Sequence, residues 1–327
     1  MNEQLRTKCD LLIANKQILS RTFKFDSSLM SLAAASIYMS KNIIADTNTL
    51  KQCNKLVKSK ASVFSNLRGN SKLPLICKMS LKNNPEVYFT QVKNVYKMLS
   101  KNNLLGSEYK VLAAMTICDH LDDKGANYYI DKTNAIYSRM KANHRFLTSD
   151  EDFPFAAILA MSDYDIESLV IEMEKDYNLL REKFHSRNAV QSLSHILALD
   201  SQDANLKCSK VIRIFEQLKS LHHKFGTGIE LASLGALSLI DLPENEIVNA
   251  IIEVDEYLKL HKGFGNMSLG KKTRRLYAAQ IVADTYGPKD ASNNGALLTS
   301  MLSLTIALEV CIMLCITTSA AASSSSN

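Results

Sequence analysis

Tryptophan is absent from this chain of 327 residues, and glycine (11) and proline (5) are scarce. With so few breakers, no Gly- or Pro-rich linker divides the sequence into separate domains. Short patterns that announce chemistry are also missing: no Cys-x-x-Cys, no His-Glu-x-x-His and no Gly-x-Ser-x-Gly occurs. Redox, zinc-protease and nucleophile-elbow motifs are thereby excluded. An excess of one charge is missing too, since 39 basic residues face 33 acidic ones for a net +6. That balance is far from the charge density of a dedicated nucleic-acid binder. The segment Met1 to Lys16 interleaves Glu3, Arg6, Lys8, Asp10 and Lys16 with apolar residues, so it lacks the unbroken apolar run of an export signal. Seven cysteines, Cys9, Cys53, Cys77, Cys118, Cys208, Cys311 and Cys315, are scattered through apolar helical runs. Such a pattern suits reduced, buried thiols and a cytoplasmic protein.

What is present is a repeated unit. From Phe146 to Phe184 a polar turn, Leu147 to Asp150, leads into the apolar run Phe153 to Met161. Ser162-Asp163-Tyr164-Asp165 breaks the run with turn and N-cap residues. Ile166, Leu169, Val170, Met173, Tyr177 and Leu180 then recur at helical spacing. The unit is a helical hairpin, one buried helix followed by one surface helix. Phe25, Phe64, Leu104, Phe146, Phe184, Phe225 and Phe264 each close a unit, at intervals of 39, 40, 42, 38, 41 and 39 residues. About eight residues before each closing residue stands another apolar one: Ile18, Leu56, Tyr96, Tyr137, Tyr177, Phe215 and Tyr257.

A period this constant predicts an all-α protein of tandem helical hairpins of about forty residues, an α-solenoid or α/α ring. About seven units are expected, preceded by a capping helix over residues 3 to 22. Pro74, Pro85 and Pro243 fall at the start of expected helices, where a missing N–H is tolerated. The repeat domain is read as residues 1–290, with a basic-ended helix from Lys271 to Tyr286. Gly287-Pro288 and a polar turn precede an apolar C-terminal helix within residues 291–322, and residues 323–327 form a disordered tail. Residues 296–322 are long enough to span a bilayer, but Glu309 lies near their middle and no Tyr belt flanks them. Packing on the repeat domain is the expectation, and a membrane tether the alternative.

Several constellations carry little. Gly265 to Thr273 nearly matches a phosphate-binding loop, yet Lys272 stands where a hydroxyl is required and no strand is expected. Lys271, Lys272, Arg274 and Arg275 at a helix start could still hold an anion. Asp119 to Asp123 falls in a hairpin turn and is not expected to bind metal; no cofactor is expected either. Small or polar residues follow most closing positions, as in Arg68-Gly69-Asn70, Arg187-Asn188 and Gly265-Asn266. Equivalent turns of stacked hairpins share one edge, so they form a rim of helix N-termini. Arg68, Asn70, Asn188, Gln191, His195 and Lys271 are the candidate binding residues on and near it, and the expected partner is a protein or a polar, acidic ligand.

The segments Phe64 to Asn70, Asn188 to His195 and Lys262-Gly263-Phe264-Gly265, with Gly270-Lys271-Lys272 and the Ala/Ser-rich end, resemble a bacterial family catalogued as a domain of unknown function. It is number four thousand and three in that series, found mainly in Gram-positive bacteria. The resemblance implies an all-helical protein and brings no catalytic residue. Two functions follow: a binding or scaffold module, or an enzyme whose site lies in the centre of a helical ring and draws on His195, Asn188 and Arg68.

Overall fold

A computed structural model of the chain describes residues 1–101, 106–287, 304–308 and 310–316. Its α-helices are α1 Glu3–Thr22, α2 Ser28–Ser40, α3 Thr47–Lys60, α4 Lys72–Ser80, α5 Pro85–Leu99, α6 Glu108–Asp119 and α7 Gly125–Asn143. There follow α8 Phe153–Met161, α9 Ile166–Leu180, α10 Arg187–Leu197, α11 Ala204–Ser220, α12 Ala232–Ser238, α13 Glu244–Lys259 and α14 Lys271–Tyr286. No strand occurs among the described residues. Odd and even helices differ in kind. All nine residues of α8 are buried, whereas α3 buries only Leu50, Cys53 and Val57 and turns the rest of its surface to water. The side chain of Asp46 caps α3, that of Asn84 caps α5 and that of Asp165 caps α9, each accepting a backbone N–H of the first turn.

Each odd helix packs on the even helix that follows it, and also on the next odd helix. One polar device recurs in these contacts: a lysine of an odd helix donates to a carbonyl at the end of the even helix that follows. Lys8 Nζ reaches Met39 O (3.1 Å), Lys132 Nζ reaches Ser162 O (2.6 Å) and Lys210 Nζ reaches Ile240 O (2.6 Å). Carbonyls left without partners at a helix end are thus satisfied by a neighbour's ammonium. Even helices meet in turn: α2 on α4, α6 on α8, α8 on α10, α10 on α12 and α12 on α14. Between α4 and α6 the link is the Glu108 carboxylate, which accepts the N–H groups of Asn70 (2.9 Å) and Ser71 (2.8 Å).

The first helix also meets the last hairpin. Met1 N lies 3.0 Å from Glu253, Lys8 Nζ 2.5 Å from Asp284, and Tyr257 Oη donates to Asp10 at 2.6 Å. Lys16 Nζ donates to Gly263 O (2.9 Å), and Ser36 Oγ of α2 donates to Gln280 of α14 (3.1 Å). Residues 304–308 and 310–316 are helical, and Ile306, Ala307, Leu308, Val310, Cys311, Ile312 and Cys315 belong to the main core. Tyr277 Oη sits 3.1 Å from Cys311 Sγ, and Cys315 Sγ 3.4 Å from Ser27 Oγ. Leu104, Pro288, Glu309, the remainder of 291–322 and the tail 323–327 lie outside the described residues.

Three of the closing residues stand apart from the expected pattern. Phe184, Phe225 and Phe264 are buried, but Phe25, Phe64 and Phe146 are exposed almost completely. In those turns a neighbour takes the place in the core, namely Phe23, Leu67 and the half-buried Leu147.

Candidate functional site

The turns that follow odd helices are joined by direct contacts to one another or to neighbouring helices. Asp26 pairs with Lys72 (2.9 Å), Glu108 caps Asn70 and Ser71, and Gln191 Nε2 donates to Thr148 Oγ1 (2.8 Å). Further on, Arg275 donates to Lys224 O (2.5 Å) and Lys16 to Gly263 O. Charge separates these turns from the others. Counting each turn with the last three residues of the helix before it and the first of the helix after it, turns following odd helices hold eighteen Lys or Arg and seven Asp or Glu. Those following α2 to α12 hold four and ten. Helix capping explains part of this, because acids favour N-termini and bases C-termini, and every exposed odd helix ends in the first set of turns.

Two clefts open among the basic turns. The larger, about 700 Å³, is lined by Asn143, His144, Arg145, Phe146, Tyr177, Arg181, Phe184, His185 and Arg187. His144 Nε2 is held 2.9 Å from Glu174 and its ring tilts against Tyr177, with 4.4 Å between centroids. Arg145 and Arg187 make no ion pair among the described residues, and Arg181 reaches only Asn178 Oδ1 at 3.4 Å. Three guanidiniums around a half-open cleft suit bidentate recognition of phosphate or carboxylate. The smaller cleft, about 370 Å³, gathers Arg21, Lys24, Lys58 and Lys72 around Phe23 and Phe25.

The expected binding residues divide among different surroundings. Arg68 sits on a turn with its side chain half-buried, and Asn70 uses its backbone N–H on Glu108. Asn188 and Lys271 are exposed at the starts of α10 and α14. Gln191 and His195, one turn apart on α10, point inward instead. His195 Nδ1 lies 3.6 Å from Asp152 Oδ1, with both side chains buried. Burial lifts Asp152 to about 7 and lowers His195 to about 3, so each is pushed toward its neutral form. Arg68 belongs to the hairpin of α4, and α6 and α8 stand between it and α10 in the succession of even helices.

Arg274 and Arg275 are corrections to the anion cluster expected at the start of α14. Both are buried, where Arg274 Nε donates to Asp255 Oδ1 (2.6 Å) and Arg275 Nε to Asp255 Oδ2 (3.2 Å). Arg274 also donates to Phe264 O and Asn266 Oδ1. His223 lies 3.2 Å from the same carboxylate. His223, Asp255 and Glu256 come near enough together for a metal ion, but two guanidiniums on Asp255 oppose a cation there. Asp119, at the turn read as unfit for metal, pairs with Lys78 and Lys82.

Arg145, Arg181, His144 and His185 were not among the sequence candidates. The signal for them was weak: a cation next to an apolar closing residue, repeated at Arg145-Phe146 and Lys24-Phe25. All seven thiols are free and buried. Among the described residues no helix is long and apolar enough to cross a membrane.

The chain matches a family model described as "Protein of unknown function (DUF4003)" over residues 15–315, in agreement with the resemblance read from its segments. It is 21% identical over 266 residues to "Uncharacterized protein YeaA" of Bacillus subtilis (strain 168), covering 80% of this chain and 76% of that protein. No solved structure matches it.

Proposed function

We propose that this chain, which belongs to the DUF4003 family, is a binding module: helical hairpins closed into an α/α ring whose basic rim recognises an anionic partner. Closure is supported by the docking of α1 on α13 and α14 and by the Ser36–Gln280 hydrogen bond. The observation that carries the binding reading is the cleft where Arg145, Arg181 and Arg187 stand around exposed space without an ion-pair partner among the described residues. Arg68, Asn188 and Lys271 extend the same edge, and Asn70, Gln191 and His195 shape its turns from behind. Buried free thiols support a reducing, cytoplasmic setting.

A catalytic centre inside the ring has less support. His195 is buried 3.6 Å from Asp152, Asn188 faces solvent, and the described residues near the C-terminus touch Ser27 and Tyr277 and feel the Glu108 carboxylate. Titration calorimetry with inorganic pyrophosphate tests the proposal. Wild-type protein should bind saturably at low salt, and R145A/R181A/R187A should bind about tenfold more weakly or worse. Equal heats from both proteins, or none from either, overturn it.

A further inference from the structure

Phe25, Phe64 and Phe146 are 104, 97 and 97% exposed; the first two lie in basic turns and the third lines the arginine cleft. Turn geometry does not compel this, because Phe184, Phe225 and Phe264 in the companion turns are 3, 1 and 1% exposed. Nor are these rings needed to hold their turns, which are anchored by Phe23, Leu67 and Leu147. Cations accompany the exposed rings: Arg21, Lys24 and Lys58 line the cleft of Phe25, Arg145, Arg181 and Arg187 that of Phe146, and Phe64 follows Lys58 and Lys60 in the chain, Lys60 being paired with Glu86. Val63, 69% exposed, adds to the second.

From this arrangement we infer that the basic rim docks on the surface of an anionic lipid bilayer. Phe25, Phe64 and Phe146 enter the boundary between headgroups and acyl chains, and the flanking Lys and Arg face lipid phosphates. The inference rests on the anion-binding reading of the rim and names its partner. Charge complementarity selects the face, since the turns after even helices are acidic and repelled by such a membrane. The spacing of the rings selects a bilayer over a folded protein. They stand on separate turns, not in one groove, and a fluid interface accepts rings at any spacing, whereas a protein epitope must supply a pocket for each. Docking of this kind calls on no membrane-spanning helix, none being found among the described residues, and is reversible by salt.

Flotation of the full-length protein with vesicles provides the test. Vesicles of phosphatidylcholine containing phosphatidylserine should carry the wild-type protein upward at low salt, and vesicles of phosphatidylcholine alone should leave it behind. The triple variant F25S/F64S/F146S changes only side chains that touch solvent, so its helical content and melting temperature should match the wild type. Its partitioning should fall by about tenfold for each ring lost from the interface. Wild-type protein that ignores phosphatidylserine, or a triple variant that floats equally well, overturns the inference. Pyrophosphate titration separates the two levels. A wild type that binds pyrophosphate but no vesicle keeps the anion-binding rim and loses the bilayer; one that binds neither loses both. Binding to heparin that survives the Phe substitutions, with no vesicle binding, assigns the rim to an acidic polymer instead and also overturns the inference.

Discussion

Consider the substitution His195→Gln. In the wild type, burial raises Asp152 to about 7 from an ordinary 3.8 and lowers His195 to about 3 from 6.5. Between about pH 4 and 6.5 the unfolded chain therefore carries a carboxylate and an imidazolium, while the folded chain carries a carboxylic acid and a neutral imidazole. Each state holds one proton on the pair, so the pair adds almost no slope to stability against pH. Removing the imidazole exposes the behaviour of Asp152 alone. Its folded pKa lies above its unfolded one, so the stability it contributes is present at low pH and is lost as pH rises toward 7. One proton corresponds to about 1.4 kcal/mol per pH unit, so the variant should lose about 3 kcal/mol relative to wild type across the window. Asp152→Asn should do the reverse. His195 must then shed its proton on folding, and stability should climb as pH rises from about 3 to 6.5 and level off above. Urea unfolding followed by circular dichroism at a series of pH values reads all three proteins. Asp176, raised to about 6 by burial, contributes a slope common to all of them, and differencing removes it. Parallel profiles for wild type and His195→Gln would refute the assignment of two neutral partners.

Asp255→Ala leaves two buried guanidiniums without their carboxylate and should destabilise the fold by about 3–5 kcal/mol in urea unfolding. Arg213→Ala, which breaks an exposed pair with Glu244, should stay within about 1 kcal/mol; similar losses from both would remove the special standing of Asp255. A chain ending at residue 290 strips Ile306, Leu308, Val310 and Ile312 from the core, at about 1.5–3 kcal/mol for each large side chain. It should melt early or aggregate, and an unchanged melting temperature would contradict that packing. Burial pushes Cys9, Cys118 and Cys311 up to about 12 and Cys53 to about 11. Native protein should therefore react with a disulfide reagent only at the rate of unfolding, and rapid labelling of any one thiol would count against its burial.

Local order was legible in the sequence wherever one helix decides it. The helices expected over residues 3 to 22 and from Lys271 to Tyr286 emerge with those bounds, although the first meets α13 and α14 where a cap was expected to meet no further neighbour. The first is marked by the helical spacing of Leu5, Cys9, Leu12, Ile13 and Leu19, and the second by a basic start and the Gly287-Pro288 that ends it. The fate of the closing phenylalanines was not legible, because a period records that an apolar residue is near a turn and not which of two neighbours enters the core. Phe23 and Phe25 differ by two positions, and only tertiary packing chooses between them. Arg274 and Arg275 looked like a solvated helix end for a similar reason. Their partner Asp255 lies on another helix, between Val254 and Glu256, where nothing local announces a buried charge. The cleft of Arg145, Arg181 and Arg187 likewise assembles from two turns nearly forty residues apart.

The meeting of α1 with α13 and α14 also sets an order of events during synthesis. Leu5, Cys9, Leu12 and Leu19 are buried in the folded protein, and the neighbours that complete their burial, around Tyr257 and Asp284, emerge from the ribosome about 250 residues later. Until then the first hairpin has one face covered by α2 and another bare. Contacts this distant in sequence slow folding, because the closure entropy of a loop of about 250 residues precedes their gain. The growing chain thus carries a sticky face on α1 through that interval, and the hairpin of α13 and α14 is the part that removes it from water.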